Sequence, residues 1–216
     1  MYYEFASLDW HRSYKLMAST VVPRPIAWVV TIGETGNINA APFSFFNYFA
    51  GMPPVICIGM TDTKQGFQDS LVNIKRNGEF VINLVSEKNL EAMNTTAITF
   101  PPGVSEIEVA GLQTKASTLV KPPRIEGSPV ALECRLTELV RVMGDTGYLV
   151  LAHVVGMYID DLAILDKEKC YIDTANLALV GRMESPGTYV RTKDRISLQT
   201  PTLAEWRAAN IHSEFL

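Results

Sequence analysis

Two long runs of apolar and β-branched residues, Val130–Val142 and Tyr148–Ile159, are separated by Gly144-Asp145-Thr146-Gly147. Gly and Asp suit a tight turn, and a connection this short cannot carry the crossover that a parallel pair needs. The two runs are therefore expected to fold back on each other as an antiparallel hairpin. The amino-terminal part repeats the pattern. Pro23 and Pro25 forbid helix. Ile26–Ile32 reads as a strand, Gly33-Glu34-Thr35-Gly36-Asn37 as a turn, and Ile38–Phe46 as the returning partner. Pro54–Met60 is apolar enough for burial on both sides, and Glu79–Val85 adds a further strand. Strands joined by turns, with few strand–helix–strand units, predict an antiparallel barrel rather than a doubly wound sheet.

The helices are short. Trp10, Tyr14 and Met17 have helical spacing, as do Phe67, Leu71 and Ile74 in a helix expected from about Gly66 to Arg76, stopped by Gly78. Ser86 is placed to cap a helix carrying Leu90 and Met93. Gly111–Ile125 reads as irregular, and Pro201–Ile211 as a terminal helix. No repeat or linker divides the chain, so one domain over 1–216 is expected.

Composition limits the function classes. With 47% hydrophobic and 19% charged residues, the chain has the makings of a packed core. A net charge of −4 argues against a nucleic-acid coat. No run approaches the roughly 20 apolar residues of a membrane-spanning helix. Met1–Trp10 holds Glu4 and Asp9 and no basic start, unlike a secretory signal. Cys57, Cys134 and Cys170 are far apart and lack metal-ligand spacing, so all three are expected in the core of a protein from a reducing, cytoplasmic setting. Neither a GxGxxG nor a GxxxxGK[ST] cradle is present, and no GxSxG or HExxH motif.

Two segments carry candidate chemistry. In Asn39-Ala40-Ala41-Pro42-Phe43-Ser44-Phe45-Phe46-Asn47, clustered aromatics fit either barrel core or a flat apolar pocket, with Ser44 and Asn47 meeting the polar edge of a planar ligand. In Gln68-Asp69-Ser70-Leu71-Val72-Asn73, a helix start fits either plain capping or phosphate binding by exposed N–H groups with Gln68 and Ser70. Asp62 and Thr63 fit a turn or a phosphate contact, and His153 a core or a catalytic residue.

The order PRPIAWV, GETGN, NAAPFSFFN, QDSLVNI and NGEFVINLVSE resembles the flavin reductase-like, FMN-binding split-barrel family. Lys121-Pro122-Pro123-Arg124, Gly127–Cys134, Gly181-Arg182-Met183 and Tyr189 extend the likeness across Leu16–Arg195. The resemblance implies a mainly β protein, a six-stranded antiparallel Greek-key barrel with flanking helices. It implies a homodimer that binds FMN (with FAD as the alternative) near its interface. It also implies an oxidoreductase that moves a hydride from NAD(P)H to the flavin and supplies a monooxygenase or other acceptor. An FMN electron carrier of the flavoredoxin kind is the alternative, and a non-flavin scaffold a third. The implied cofactor contacts are Arg24, Pro25, Ala27, Trp28, Ser44, Phe45, Phe46 and Asn47, with Gln68, Ser70 and Asn73 towards the phosphate and Arg182 beside Tyr189. For Trp28 the residues leave open a gate over the flavin or a core position, and for Arg182 a cofactor contact or a surface ion pair. Where the family often has Lys-Asp-Thr, this chain has Gln68-Asp69-Ser70 and lacks the lysine's charge.

Overall fold

A computed structural model describes residues 1–61, 69–101, 104–142, 147–184 and 186–209. Its strands are β1 (Ala27–Ile32), β2 (Ile38–Phe43), β3 (Phe46–Gly51), β4 (Pro54–Thr61), β5 (Glu79–Leu84), β6 (Thr114–Lys115), β7 (Arg124–Ile125), β8 (Val130–Arg141), β9 (Gly147–Ile159), β10 (Ile164–Asp166), β11 (Tyr171–Ile172), β12 (Val180–Arg182) and β13 (Tyr189–Arg191). The helices are α1 (Trp10–Thr20), α2 (Asp69–Asn77), α3 (Leu90–Thr95), α4 (Glu106–Val109) and α5 (Leu203–Ala209).

Seven strands form one antiparallel sheet in the order β2-β1-β5-β8-β9-β4-β3. The β8–β9 hairpin is the one expected from the sequence, and its middle carries two register shifts that bend the ladder. Glu106, Arg124 and their neighbours lie on the small elements that wrap this sheet.

Period-two alternation sorts the core. Ala27, Val29, Phe80 and Ile82 face one cluster, which also takes Ile58, Leu132 and Val150 and the α2 residues Leu71 and Ile74. Trp28, Val30 and Val81 face a second cluster with Met93, Ile107 and Ile125. β1 and β5 are thus covered on both faces, as their unbroken apolar sequence requires.

Three expectations change. The run Ile38–Phe46 is not one strand: β2 ends at Phe43, Ser44–Phe45 cross over, and β3 starts at Phe46. This makes the sheet seven-stranded and leaves its hydrogen-bond ladder open between β2 and β3. Gly111–Ile125 contains the short β6–β7 pair. Cys57 and Cys134 are buried, but Cys170 is exposed, because it closes the Asp166–Cys170 turn with φ of 56°. The turn at Gly144–Thr146, with Asp62, Thr63, Phe67 and Gln68, lies outside the described residues.

Asp9 caps α1 by accepting from Arg12 N–H at 2.9 Å. The apolar stripe of α1 does not sink into the core: Trp10, Tyr14 and Met17 stay exposed. Ser86 and Asn89 form the expected cap before α3. Among the described residues no helix is long and apolar enough to cross a membrane, and no group of metal-ligating side chains gathers.

Candidate functional site

The crossing segment Ser44–Phe45 joins the two edge strands of the sheet. Gly59 N–H donates to the Phe45 carbonyl at 2.7 Å, which draws this segment onto β4. The Phe45 ring stays 45% exposed and lies 6.5 Å from the Tyr14 ring. Tyr14 in turn stacks on Trp10, with centroids 5.2 Å apart and planes at 13°. Beyond Phe45, β3 is an edge strand with Asn47–Gly51 exposed. An edge strand presents a row of backbone N–H and C=O groups with no neighbouring strand.

Three cavities touch this segment, and two of them bear on the site. A groove of about 560 Å³ is lined by Pro25, Phe46, Asn47, Ile56, Leu132 and Met157 among others, and is overwhelmingly apolar. A cleft of about 300 Å³ lies between Tyr14 of α1, Phe43 and Ser44, Asn94 of α3, and Arg182 and Tyr189 of the β12–β13 hairpin. Alternation along the strand entry explains the division. Arg24 points towards the cleft side and contacts Ser44, whereas Pro25 faces the groove.

Arg24 is 7% exposed. Its Nη1 donates to the carbonyls of Ala18 (2.7 Å) and Val21 (2.8 Å), its Nη2 to Met183 (2.7 Å) and its Nε to Ser44 Oγ (3.4 Å). Its backbone pairs both ways with Arg182. One buried guanidinium therefore ties the end of α1, the crossing segment and the strand β12 together. Burial lowers its pKa from the ordinary arginine value, though an arginine stays charged throughout the working pH range. Arg182 lies over the Tyr189 ring at 4.8 Å and donates to Pro186 O at 2.9 Å, while Tyr189 O–H donates to Asn94 Oδ1 at 3.2 Å.

The other candidate residues lie elsewhere. Ala27 and Trp28 are fully buried, and Trp28 Nε1 donates to Thr96 Oγ1 at 2.9 Å. The Trp28 side chain is a core residue with its polar atom paired, out of reach of any ligand in this arrangement. Ser70 and Asn73 belong to a buried polar layer between α2 and the β1–β2 hairpin. Asn73 Nδ2 donates to Thr31 Oγ1 at 3.0 Å. The Asn39 amide takes the orientation in which its oxygen accepts from Ser70 Oγ (2.9 Å) and its nitrogen donates to Glu106 at 3.1 and 3.3 Å. The reverse orientation would set a carbonyl oxygen against a carboxylate. Ser70 is 1% exposed, so its hydroxyl serves the interior, and the α2 start also carries the Asp69 carboxylate. Gln68 lies outside the described residues. His153 sits in mid-strand opposite Val55 and Arg135 and lines neither cavity, although Val55 and Val154 beside it line the groove.

Sequence reasoning did not single out Tyr14 or Asn94 as site residues. The signal for Tyr14 was present in the Trp10–Tyr14–Met17 spacing, which marks an apolar stripe without saying that solvent keeps it. Asn94 had no signal, since only the packing of α3 against the β12–β13 hairpin brings it to the cleft.

Residues 17–172 match the model of the flavin reductase like domain. An uncharacterised protein of Deinococcus radiodurans is 41% identical over 211 residues, 95% of this chain and 92% of the relative. The crystal structure of the 2-nitrobenzoate 2-nitroreductase of Pseudomonas fluorescens superposes with a TM-score of 0.86 at 33% identity, covering 94% of this chain and 98% of that one. Nitrilotriacetate monooxygenase component B from Bacillus cereus also gives a TM-score of 0.86, at 26% identity over 92% and 98% of the two chains. The open, mainly β sheet with flanking helices is the split-barrel fold of these proteins, and the chain belongs to the flavin reductase-like family.

Proposed function

We propose that this chain is an FMN-binding NAD(P)H:flavin oxidoreductase, a single 1–216 domain with its core over 16–195, working in the cytoplasm as a homodimer. The carrying observation is the exposed crossing segment Ser44–Asn47, set between two edge strands and beside an apolar groove, in a chain of this family. A flavin ring has an apolar end and a polar, uracil-like edge. The groove at Pro25 and Phe46 suits the first. The edge backbone of β3 suits the second, with the Asn47 amide nitrogen beside it, the Asn47 oxygen already accepting from Tyr48 N–H at 2.9 Å. Among the described residues no acidic side chain lines the groove to oppose the negative charge that a reduced flavin gains. When bound, the flavin supplies the redox chemistry, accepting a hydride equivalent from NAD(P)H and passing electrons on. The protein's own groups bind, orient and exclude water. Ser44 and Phe45 of the crossing segment would shape the ring's near side. FMN is preferred to FAD on the likeness to the family.

Tyr48, Phe49 and Met52 project from β3 and its turn with 74%, 67% and 95% exposure. Such a cluster favours coverage by a second copy, which would complete the site. The likeness to a monooxygenase component supports a flavin-dependent monooxygenase as the acceptor.

The test is to purify the protein, release any flavin by heat, identify it by chromatography, and follow NADH and NADPH oxidation with added FMN, FAD and riboflavin. Yellow protein with flavin-dependent nucleotide oxidation supports the reading. Protein that takes up no flavin on titration overturns it. Flavin uptake without nucleotide oxidation replaces the reductase with an electron carrier.

A further inference from the structure

We propose that the cleft between α1, the end of β2, α3 and the β12–β13 hairpin binds a one-ring aromatic carboxylate, with Arg182 as the partner of its acid group. As a statement about what is presented beside the cofactor, this rests on the flavin reading above; as a statement about binding, it stands without it.

The first argument is charge. Arg24 and Arg182 are neighbours through their paired backbones, and burial together with the adjacent Arg182 charge disfavours the Arg24 cation. Arg24 spends its donors on three carbonyls and one hydroxyl, Arg182 on one carbonyl and the face of Tyr189. Those dipoles satisfy hydrogen bonds without cancelling charge. Among the described residues no carboxylate pairs with either guanidinium, and no Asp or Glu lines the cleft. A partly desolvated pair of cations without a protein counter-charge makes a site for an external anion.

The second argument is shape. Tyr14, Phe43 and Tyr189 give the cleft aromatic walls. Its volume of about 300 Å³ is at the low end for small-molecule sites and well below the neighbouring groove. Ser44 Oγ accepts from Arg24 Nε, which leaves its own hydrogen to point elsewhere, and Asn94 adds an amide. Among the described residues Arg182 is the one charged side chain lining the space. A planar monoanion matches a planar guanidinium. A phosphate dianion would ask for more donors, and the cleft meets α3 at Met93 and Asn94, near its carboxyl end, where helix carbonyls disfavour extra negative charge.

The experiment is a calorimetric titration of the full chain, as purified and after flavin removal, with benzoate, with neutral benzamide and with inorganic phosphate. The expected result is saturable benzoate binding that is about tenfold tighter than benzamide, the loss of one charge-assisted contact, and indifferent to equimolar phosphate. Arg182→Gln should erase the difference between benzoate and benzamide. Equal binding of benzoate and benzamide to the unaltered protein overturns the proposal whether or not the variant folds. So does displacement of benzoate by phosphate, which would mark a dianion site, or by riboflavin, which would make the cleft part of the cofactor site. Benzoate discrimination in a protein that takes up no flavin would leave this proposal standing while the flavin reading fails. Flavin uptake with no such discrimination would do the reverse.

Discussion

The backbone N–H of Gly59 donates to the carbonyl of Phe45 at 2.7 Å, and a Cβ on residue 59 would stand 3.0 Å from the Phe45 Cβ. The crossing between β2 and β3 therefore depends on the missing side chain at 59. Gly59→Ala should push Phe45 off β4 and cost about 1–2 kcal/mol, as overpacking does. Because Phe45 opens the proposed flavin platform, flavin affinity should fall about threefold to tenfold in the same variant. Thermal melting and flavin titration check the two halves separately. A lowered melting point with unchanged flavin affinity would detach Phe45 from the site.

Trp28 illustrates the opposite case, a residue whose sequence context allowed two roles. Its indole N–H is paired with Thr96, whose own hydroxyl donates a hydrogen bond to the Met93 carbonyl at 2.7 Å. Trp28→Phe removes one buried hydrogen bond and some packing, a loss of about 1–3 kcal/mol. Flavin affinity and the KM for NAD(P)H should stay within about twofold, below 0.5 kcal/mol. A larger change in a well-folded variant would return Trp28 to the site.

These cases show what a sequence makes visible. The hairpins of β1–β2 and β8–β9 were legible because alternation and turn chemistry are local. The break at Ser44–Phe45 was not, since Pro42 and Ser44 also fit an edge strand, and the bond that draws Phe45 onto β4 comes from Gly59 on another strand. The helix carrying Leu71 and Ile74 was legible from spacing. That Ser70 and Asn73 share its buried side was not, because their partners Asn39 and Thr31 sit on β1 and β2. Arg24 is the extreme case. Nothing near it in sequence foretells that Met183, 159 residues away, supplies one of its carbonyls.

The buried layer at Ser70 also sets a pH response. Burial raises the Glu106 carboxyl above its ordinary value of 4.5, and the Asp69 charge adds to that, against the hydrogen bonds from Ala40 N–H and the Asn39 amide. A raised native pKa means that the folded chain holds the proton more tightly than the unfolded chain. This contribution is fully present below the unfolded value and is lost as pH rises through the raised one. Glu106→Gln removes the titration while keeping an acceptor for Ala40 N–H. The gap in melting temperature between variant and wild type should therefore move in the variant's favour as pH rises above the ordinary carboxyl value and level off once it has passed the raised one. Carboxylates held below their ordinary values, such as Glu87 beside Arg191 and Lys193, titrate equally in both proteins and cancel in the difference. A gap that stays constant with pH would show that Glu106 titrates as in the unfolded chain.

Arg24 offers the sharpest separation of charge from shape. Arg24→Met keeps an apolar stem of similar reach but leaves the carbonyls of Ala18, Val21 and Met183 without their donor. Hydrogen bonds from a charged donor contribute about 1.5–3 kcal/mol each, and part of that returns as water reaches the exposed end of α1, so a net loss of about 2–4 kcal/mol is expected. Arg24→Lys carries three donors on a compact head and cannot span three carbonyls and Ser44 at once. It should recover part of the stability and little of the cleft's order. Denaturant midpoints should rank wild type above Lys and Lys above Met. The 14–24 segment and the β12–β13 hairpin should lose hydrogen-exchange protection together, because one guanidinium fastens both. Separate loss in only one of them would show that the remaining contacts of Arg182 with residue 24's backbone are enough to hold the hairpin.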